Sequence, residues 1–293
     1  MVIIKIQGGL GNQMFQFATG FVLAKKKQTE LYLDIMSFDQ KHSVQPITPR
    51  NYELNIFELP AEILTIAQTK KILNNKDFRL PYWKLNKKLS CYFYKEPSYE
   101  YVSDIENISL PVYLDGYFQS HRYFSDYRKQ IQQAFSFKKK YAQQFISPTL
   151  SQILNENSVS VHIRRGDYIN DKQTNEYHGT CSLGYYEQSI HFFLSELKNP
   201  HFFFFSDDID WVKEKFSNLH AKKTFVNENP GRDSWKDMFF ITKCKHHIIA
   251  NSTFSWWGAW LSDHPFKTVI APVKWFETNL SDKDLIPQEW IRF

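Results

Sequence analysis

From residue 158 onward, short apolar runs alternate with stretches in which apolar side chains recur every three or four positions. The runs fit strands buried on both faces and the longer stretches fit amphipathic helices. In order, they predict a strand from 158 in SVSVHIRRGDY, a helix over 183–197, a strand over 201–205, a helix over 209–216 and a strand over 223–226. A helix over 233–243, a strand over 246–250, a helix over 255–261 and a strand over 268–271 complete the series. Strands alternating with helices make a parallel, doubly wound sheet.

The chain opens in the same manner. An apolar run over 2–6 reads as a strand, Gly8, Gly9 and Gly11 as a flexible turn, and Asn12 as the cap of a helix with Met14, Phe17, Ala18, Phe21 and Val22 on its apolar face. A second strand over 31–35 ends on Asp34. Between 39 and 111 no period is clean, and helices with long loops are expected. A strand over 112–114 and helices near 125–134 and 139–154 follow. The expected fold class is α/β, with two Rossmann-like domains, 1–150 and 151–293, facing a cleft.

Composition narrows this picture. The 293 residues, 42% apolar and 23% charged, belong to a globular chain long enough for two domains. Net charge is +5 and the basic residues are scattered, whereas nucleic-acid binding calls for a denser stripe. Cys91, Cys181 and Cys244 are far apart and in no metal-ligand spacing, which points to a reducing compartment. No apolar run approaches the roughly 20 residues of a membrane span and no basic lead-in precedes a signal core, so a cytoplasmic protein without an integral anchor is expected. The glycines near the start lack the G-x-G-x-x-G spacing, and no nicotinamide or flavin cofactor is expected.

Candidate chemistry collects at the carboxyl ends of the predicted strands, where open α/β sheets bind ligands. His162 and Arg164 share a strand face, roughly 6–7 Å apart along it. The Arg164 guanidinium suits a phosphate; the alternative is a surface turn of paired Arg and Asp. The strand at 201–205 runs into Asp207 and Asp208, and that at 246–250 into Asn251, Ser252 and Thr253. Ser252 and Thr253 serve either as helix caps or, with helix-start amides, as a phosphate grip. Asp237 in the first turn of its helix either complements the dipole or accepts hydrogen bonds from a base. Asp208 and Asp210 form a DxD that would hold a divalent ion or, alternatively, cap a helix. His246 and His247 face opposite ways, which favours packing over zinc, and Trp256, Trp257 and Trp260 have the spacing of core side chains on a helix.

Six stretches in this order, IQGGLGNQMFQFATGFVLA, LDGYFQSHRYF, VSVHIRRGDY, HGTCSLGYY, FFFFSDDIDWV and NSTFSWWGAWL, resemble the α-1,2-fucosyltransferases, especially the bacterial ones that decorate surface polysaccharides such as O-antigens. The resemblance implies a GT-B architecture with 1–150 as the acceptor-side domain and 151–293 as the GDP-fucose-binding domain, GDP-β-L-fucose as donor, the 2-hydroxyl of a terminal galactoside as acceptor, inversion at the anomeric carbon, and no required metal or other cofactor. It implies that Arg164 grips the diphosphate, that His162 lies near the guanosine, and that Ser252, Thr253 and Phe254 line the diphosphate and base. Asp237 would read the base, Asp207 would stand among the donor contacts, and Gly9, Gly11 and Asn12 would close over fucose and phosphate from the first domain. Asp167, counted with Arg164 as catalytic, shares the role of acceptor base with Asp171, Glu176 and His178 as alternatives. The partner expected is a galactose-terminated oligosaccharide or lipid-linked glycan, with the basic, aromatic segment 83–95 either a solvated loop or a peripheral membrane contact. The absence of the amino-terminal anchor of the animal Golgi relatives favours the cytoplasmic bacterial kind. Three rivals stand beside this reading: a metal-dependent transferase using Asp208 and Asp210, a non-catalytic glycan- or nucleotide-binding module, and an enzyme that hydrolyses the nucleotide sugar.

Overall fold

The computed structural model describes residues 1–39, 50–73, 91–141, 146–166, 176, 179–229, 233–278 and 280–293. The chain divides into a first unit, Met1–Lys138 with Lys283–Leu285, and a second, Lys139–Asp282 with Ile286–Phe293.

In the first unit, β1 (Val2–Lys5), α1 (Leu10–Lys26), β2 (Leu31–Asp34), β3 (Glu62–Ile63), α2 (Ile66–Ile72), β4 (Tyr92–Lys95), β5 (Val112–Asp115) and α3 (Arg128–Ala134) follow in sequence. The sheet is parallel, in the order β3-β2-β1-β5-β4. Strands expected at 2–6, 31–35 and 112–114 are present. The stretch 39–111, expected as helices and loops, also supplies both edge strands. Each lacks a two-faced apolar run: β3 is two exposed residues, and in β4 Phe93 is buried while Tyr92 is 55% exposed.

Helix α1 starts earlier than Asn12. Gly8 takes φ +78, a left-handed turn that favours glycine, and Gly9 is the cap, which places Gly11 and Asn12 inside the first turn. Gln13 and Gln16 are fully buried yet satisfied. Gln13 donates to the carbonyls of Gly8 (2.9 Å) and Asn51 (2.8 Å) and accepts from the Glu53 N–H at 2.9 Å. Buried amides bonded in this way fix the loops around the helix start.

The second unit contains α4 (Pro148–Asn155), β6 (Asn157–Ile163), α5 (Leu183–Glu196), β7 (Pro200–Ser206), α6 (Ile209–Lys215), β8 (Lys222–Phe225), α7 (Trp235–Lys243), β9 (His246–Ile248), α8 (Thr253–Leu261), β10 (Val269–Ala271) and β11 (Ile291–Arg292). Its parallel sheet has the order β11-β10-β9-β6-β7-β8. The four phenylalanines of β7 show why its sequence is uninterrupted by polar residues. Phe202 and Phe204 join Val159, Val161 and Ile163 under Tyr185, Ile190 and Phe193 of α5, while Phe203 and Phe205 meet Ile153 of α4 and Phe240 and Ile241 of α7 on the opposite face. Of the helix expected over 139–154, residues 139–141 form a 3-10 turn and α4 begins at Pro148, capped by the Ser147 hydroxyl. Because α4 packs through Ile153 on the second sheet, the division falls at Lys138, ahead of the boundary at 150. Strand β11 was not expected.

In each sheet the strand order reverses beside the first strand: between β1 and β5, and between β6 and β9. Such a topological switch point opens a crevice at the carboxyl ends of the strands, and ligands of open α/β sheets bind there.

Candidate functional site

The β6/β9 switch point gathers most of the residues singled out in the second half. Because β6 sends Val159, Val161 and Ile163 to the α5 face, its alternate residues Ser158, Ser160 and His162 face the side of α7 and α8. His162, buried, lies 5.5 Å from the Phe254 ring in the first turn of α8. Burial, with the nearby Arg164 cation, pushes its imidazole down to about 4 although Asp207 opposes the shift, so the ring is neutral at pH 7. Among the described residues its buried Nδ1 has no hydrogen-bond partner. Such a nitrogen is costly unless something bonds to it.

Arg164 is half-buried and bonded through Nη1 to Asp207 Oδ2 at 3.0 Å. The other Asp207 oxygen accepts the Arg165 N–H at 2.9 Å. Asp207 therefore holds the turn after β6 and sets the Arg164 fork. A planar guanidinium with its five N–H donors is the group suited to gripping an oxygen-rich partner. The next carboxylate has a different occupation. Asp208 caps α6 through the Trp211 N–H (3.4 Å) and accepts from Arg165 Nε at 3.2 Å, while the Arg165 guanidinium lies 3.7 Å above the Trp211 ring. Asp210 points outward, paired with Lys213 at 3.0 Å. The DxD is thus one helix cap and one surface ion pair.

On the β9 side, Asn251 is buried and donates to the carbonyls of Gly179 and Trp275, both at 3.3 Å, while its oxygen accepts from the Cys181 thiol. These bonds fix the strand exit. Ser252 follows as the cap of α8 with extended backbone, and its hydroxyl makes no capping hydrogen bond. Of the two readings open for Ser252 from sequence, simple capping does not describe it. Thr253 and Phe254 form the first turn, where amide N–H groups and the helix dipole favour an anion.

Asp237 lies in the first turn of α7 and receives the Asn229 amide at 2.7 Å. Burial pushes its carboxyl up to about 7; Asn229 opposes this and Glu228 adds to it. Asn229 carried no signal in the sequence, since an Asn before Pro reads as a turn. Trp256, Trp257 and Trp260 are core, as their spacing predicts, and His247 is bonded to Ser160 at 2.9 Å. Among the described residues no helix is long and apolar enough to cross a membrane.

Of the candidate bases, Asp167, Asp171 and His178 lie outside the described residues, and Glu176 is exposed. The glycine turn with Gly9, Gly11 and Asn12 belongs to the first unit, at its own switch point. Gly11 is buried within α1, and Asn12 Oδ1 accepts the Gln119 amide at 2.9 Å.

The model of glycosyl transferase family 11 matches residues 1–293. The chain belongs to that family. An alpha-1,2-colitosyltransferase of Escherichia coli is 32% identical over 299 residues, covering 100% of this chain and 98% of the relative. The O-antigen biosynthesis glycosyltransferase WbnK of the same species is 34% identical over 300 residues, covering 98% of each. A galactoside 2-alpha-L-fucosyltransferase of Bos taurus is 26% identical over 88% of this chain and 64% of its own length. Among solved structures, the fucosyltransferase NodZ from Bradyrhizobium superposes with a TM-score of 0.53 over 88% of this chain and 92% of its own, at 12% identity, a likeness of fold. The resemblance in the six motif stretches is thus borne out for the family, and the parallel α/β sheets of this family 11 glycosyltransferase have a fucosyltransferase fold for company.

Proposed function

We propose that the protein is an inverting galactoside α-1,2-fucosyltransferase of GT-B architecture that moves L-fucose from GDP-β-L-fucose to the 2-hydroxyl of a terminal galactoside in a surface glycan. The observation that carries the proposal is the convergence of Arg164, neutral His162 and the α8 amino terminus on the β6/β9 switch point. In an inverting transfer the acceptor oxygen bonds to the anomeric carbon as the bond to the β-phosphate oxygen breaks. Negative charge then builds on the departing GDP. Arg164 and the α8 amides meet that charge, and Asp207 acts through Arg164 by fixing its plane. The unpaired His162 nitrogen offers a neutral partner to the nucleoside, Asp237 accepts from the guanine amine and imine, and Ser252, Thr253 and Phe254 line the diphosphate. Gly9, Gly11 and Asn12 remain donor contacts in this proposal, and Asp167 remains a candidate base. No metal is needed, because Asp208 and Asp210 already serve α6 and its neighbours. The enzyme works in the cytoplasm on an oligosaccharide or lipid-linked acceptor.

Arg164→Ala should lower turnover of GDP-fucose with lactose by about a hundred- to thousandfold, since a lost donor to the developing anion costs about 2.7–4 kcal/mol. The assay is GDP release with product linkage analysis, run with and without EDTA. Near-normal activity of the variant, or activity lost to EDTA and restored by Mn²⁺, would defeat the proposal.

The colitosyltransferase relative supports a second reading of the donor. Colitose is fucose without its 3-hydroxyl, and a site built to bond that hydroxyl rejects the deoxy sugar by about 10⁴-fold or more. Competing the two GDP-sugars in one reaction decides between them.

A further inference from the structure

The rung that closes the second sheet beside α8 is made by a side chain. His247 donates its N–H to the Thr268 carbonyl and Ile249 donates its own to the Ile270 carbonyl, both at 3.0 Å, the regular step of a parallel pair. In the register that sets Val269 against His247 and Ile270 against Ile248, the next donor falls to residue 272, and its acceptor is the Ile249 carbonyl. Residue 272 is proline and has no N–H to give. The Tyr185 hydroxyl, reaching across from α5, takes its place at 2.7 Å from the Ile249 oxygen and 3.1 Å from that of Ile270. Ile249 is fully buried, where a carbonyl left without a donor is costly. Burial pushes the phenol well above its ordinary range, so it keeps the proton it donates.

The residues after Ile249 are held by the same stretch of chain. Besides the Tyr185 hydroxyl, residues 179–185 supply the Gly179 carbonyl and the Cys181 thiol that bond to Asn251. Gly179 takes φ +61, and a Cβ there would stand 2.5 Å from the Glu277 Cγ, so this turn lies close against the chain that leaves β10. The Ser182 hydroxyl accepts the Tyr185 N–H at 3.2 Å and caps α5 at the root of the tyrosine. Beyond Asn251, Ser252 donates its N–H to the Ala250 carbonyl at 2.7 Å and accepts the Trp256 N–H at 3.0 Å, which begins α8. Only Ala250, Asn251 and Ser252 stand between the Tyr185 bond and the first turn of α8, and each is buried. A shift at the Ile249 carbonyl is therefore passed on to the α8 amides, since a close-packed interior transmits strain.

We propose that Tyr185 is a positioning residue for the donor: by standing in for the N–H that Pro272 lacks, its hydroxyl sets where the α8 amides meet the diphosphate. This rests on the donor reading above. It is tested on the whole protein by calorimetric titration with GDP and with guanosine, which has no diphosphate. Wild type should bind GDP at least about tenfold more tightly than guanosine, a difference of about 1.4 kcal/mol. Tyr185→Phe keeps the ring in the core and loses only the hydroxyl. It should raise the Kd for GDP about fivefold, the worth of about one hydrogen bond, and leave that for guanosine unchanged within error. Pro272→Ala returns an N–H to the open rung, and in the Tyr185→Phe background it should bring GDP affinity back toward the wild-type value. A merely structural loss would move both ligands together and would not be rescued from residue 272. The effects of Tyr185→Phe and Ser252→Ala on GDP binding should fall short of their sum, because both act at the start of α8, whereas those of Tyr185→Phe and Asp237→Asn should add. An unchanged GDP Kd in Tyr185→Phe, or a guanosine Kd that rises in step with it, would overturn the positioning role. A wild type that binds GDP no better than guanosine would overturn the diphosphate reading of α8, and the positioning role with it.

Discussion

At the amino end of α7 the Asp237 carboxyl is pushed up to about 7 by burial, against the opposing Asn229 amide. In the unfolded chain the same group titrates near the ordinary carboxylate value of about 4. Between these two values the folded protein holds a proton that the unfolded chain has released, so stability falls as pH rises through that window and levels off above it. Asp237→Asn removes the buried charge and keeps an oxygen for Asn229. Its Tm should match the wild type near pH 4 and exceed it at pH 8. Recognition pulls the opposite way, because the guanine amine and imine both donate and need an ionised acceptor. Wild-type affinity for GDP should fall about tenfold per pH unit below 7, to about a hundredfold at pH 5, while the Asn variant binds weakly at every pH. A calorimetric titration across pH 5–8 checks both, and a flat wild-type profile would remove Asp237 from the base-reading role.

At the scale of elements, legibility followed burial. The apolar run of β7 could be read as a strand because both its faces are covered, and α5, α6 and α7 showed a clear helical period. Strands β3, β4 and β11 escaped because edge strands are short and half-solvated, so neither a continuous run nor a clean alternation marks them. The start of α1 is hard to read for a related reason: its glycine cap offers no side chain, whereas Asn12, three residues on, is a residue type that favours caps. What β11 contributes is carried by its neighbour Trp290, buried and 5.5 Å from Trp256 of α8. Trp290→Ala should cost about 3–5 kcal/mol, seen as a lower urea midpoint. Since α8 begins at the candidate donor site, GDP at about a hundred times its Kd should return roughly 2.7 kcal/mol of that loss. A variant whose midpoint GDP cannot move would show that α8 no longer holds the nucleotide.

For the molecule as a whole, the sequence indicated two similar sheets and placed His162 and Arg164 on one face, but it was silent on how the chain returns. After Asp282 the segment Lys283–Leu285 joins the first unit before β11 completes the second. No hydrophobic pattern announces three residues, and the anchor is polar. The buried Asp284 carboxylate accepts the Tyr101 N–H at 3.0 Å and Arg122 Nη1 at 2.9 Å, and that guanidinium lies 4.4 Å over the Tyr101 ring. Burial alone would raise its pKa, but the Tyr101 N–H and Arg122 together bring it below the ordinary carboxylate range. A depressed carboxyl stabilises the fold above its unfolded pKa and stops doing so as pH falls through its folded value. Asp284→Asn should therefore cost about 1–3 kcal/mol at pH 7, because Arg122 loses its counter-charge and one of two hydrogen bonds weakens. The gap between variant and wild type in urea midpoint should narrow as the titration is repeated at falling pH, as the native carboxyl takes up its proton. A gap that does not narrow as pH falls would mean that packing, not charge, holds the returning segment.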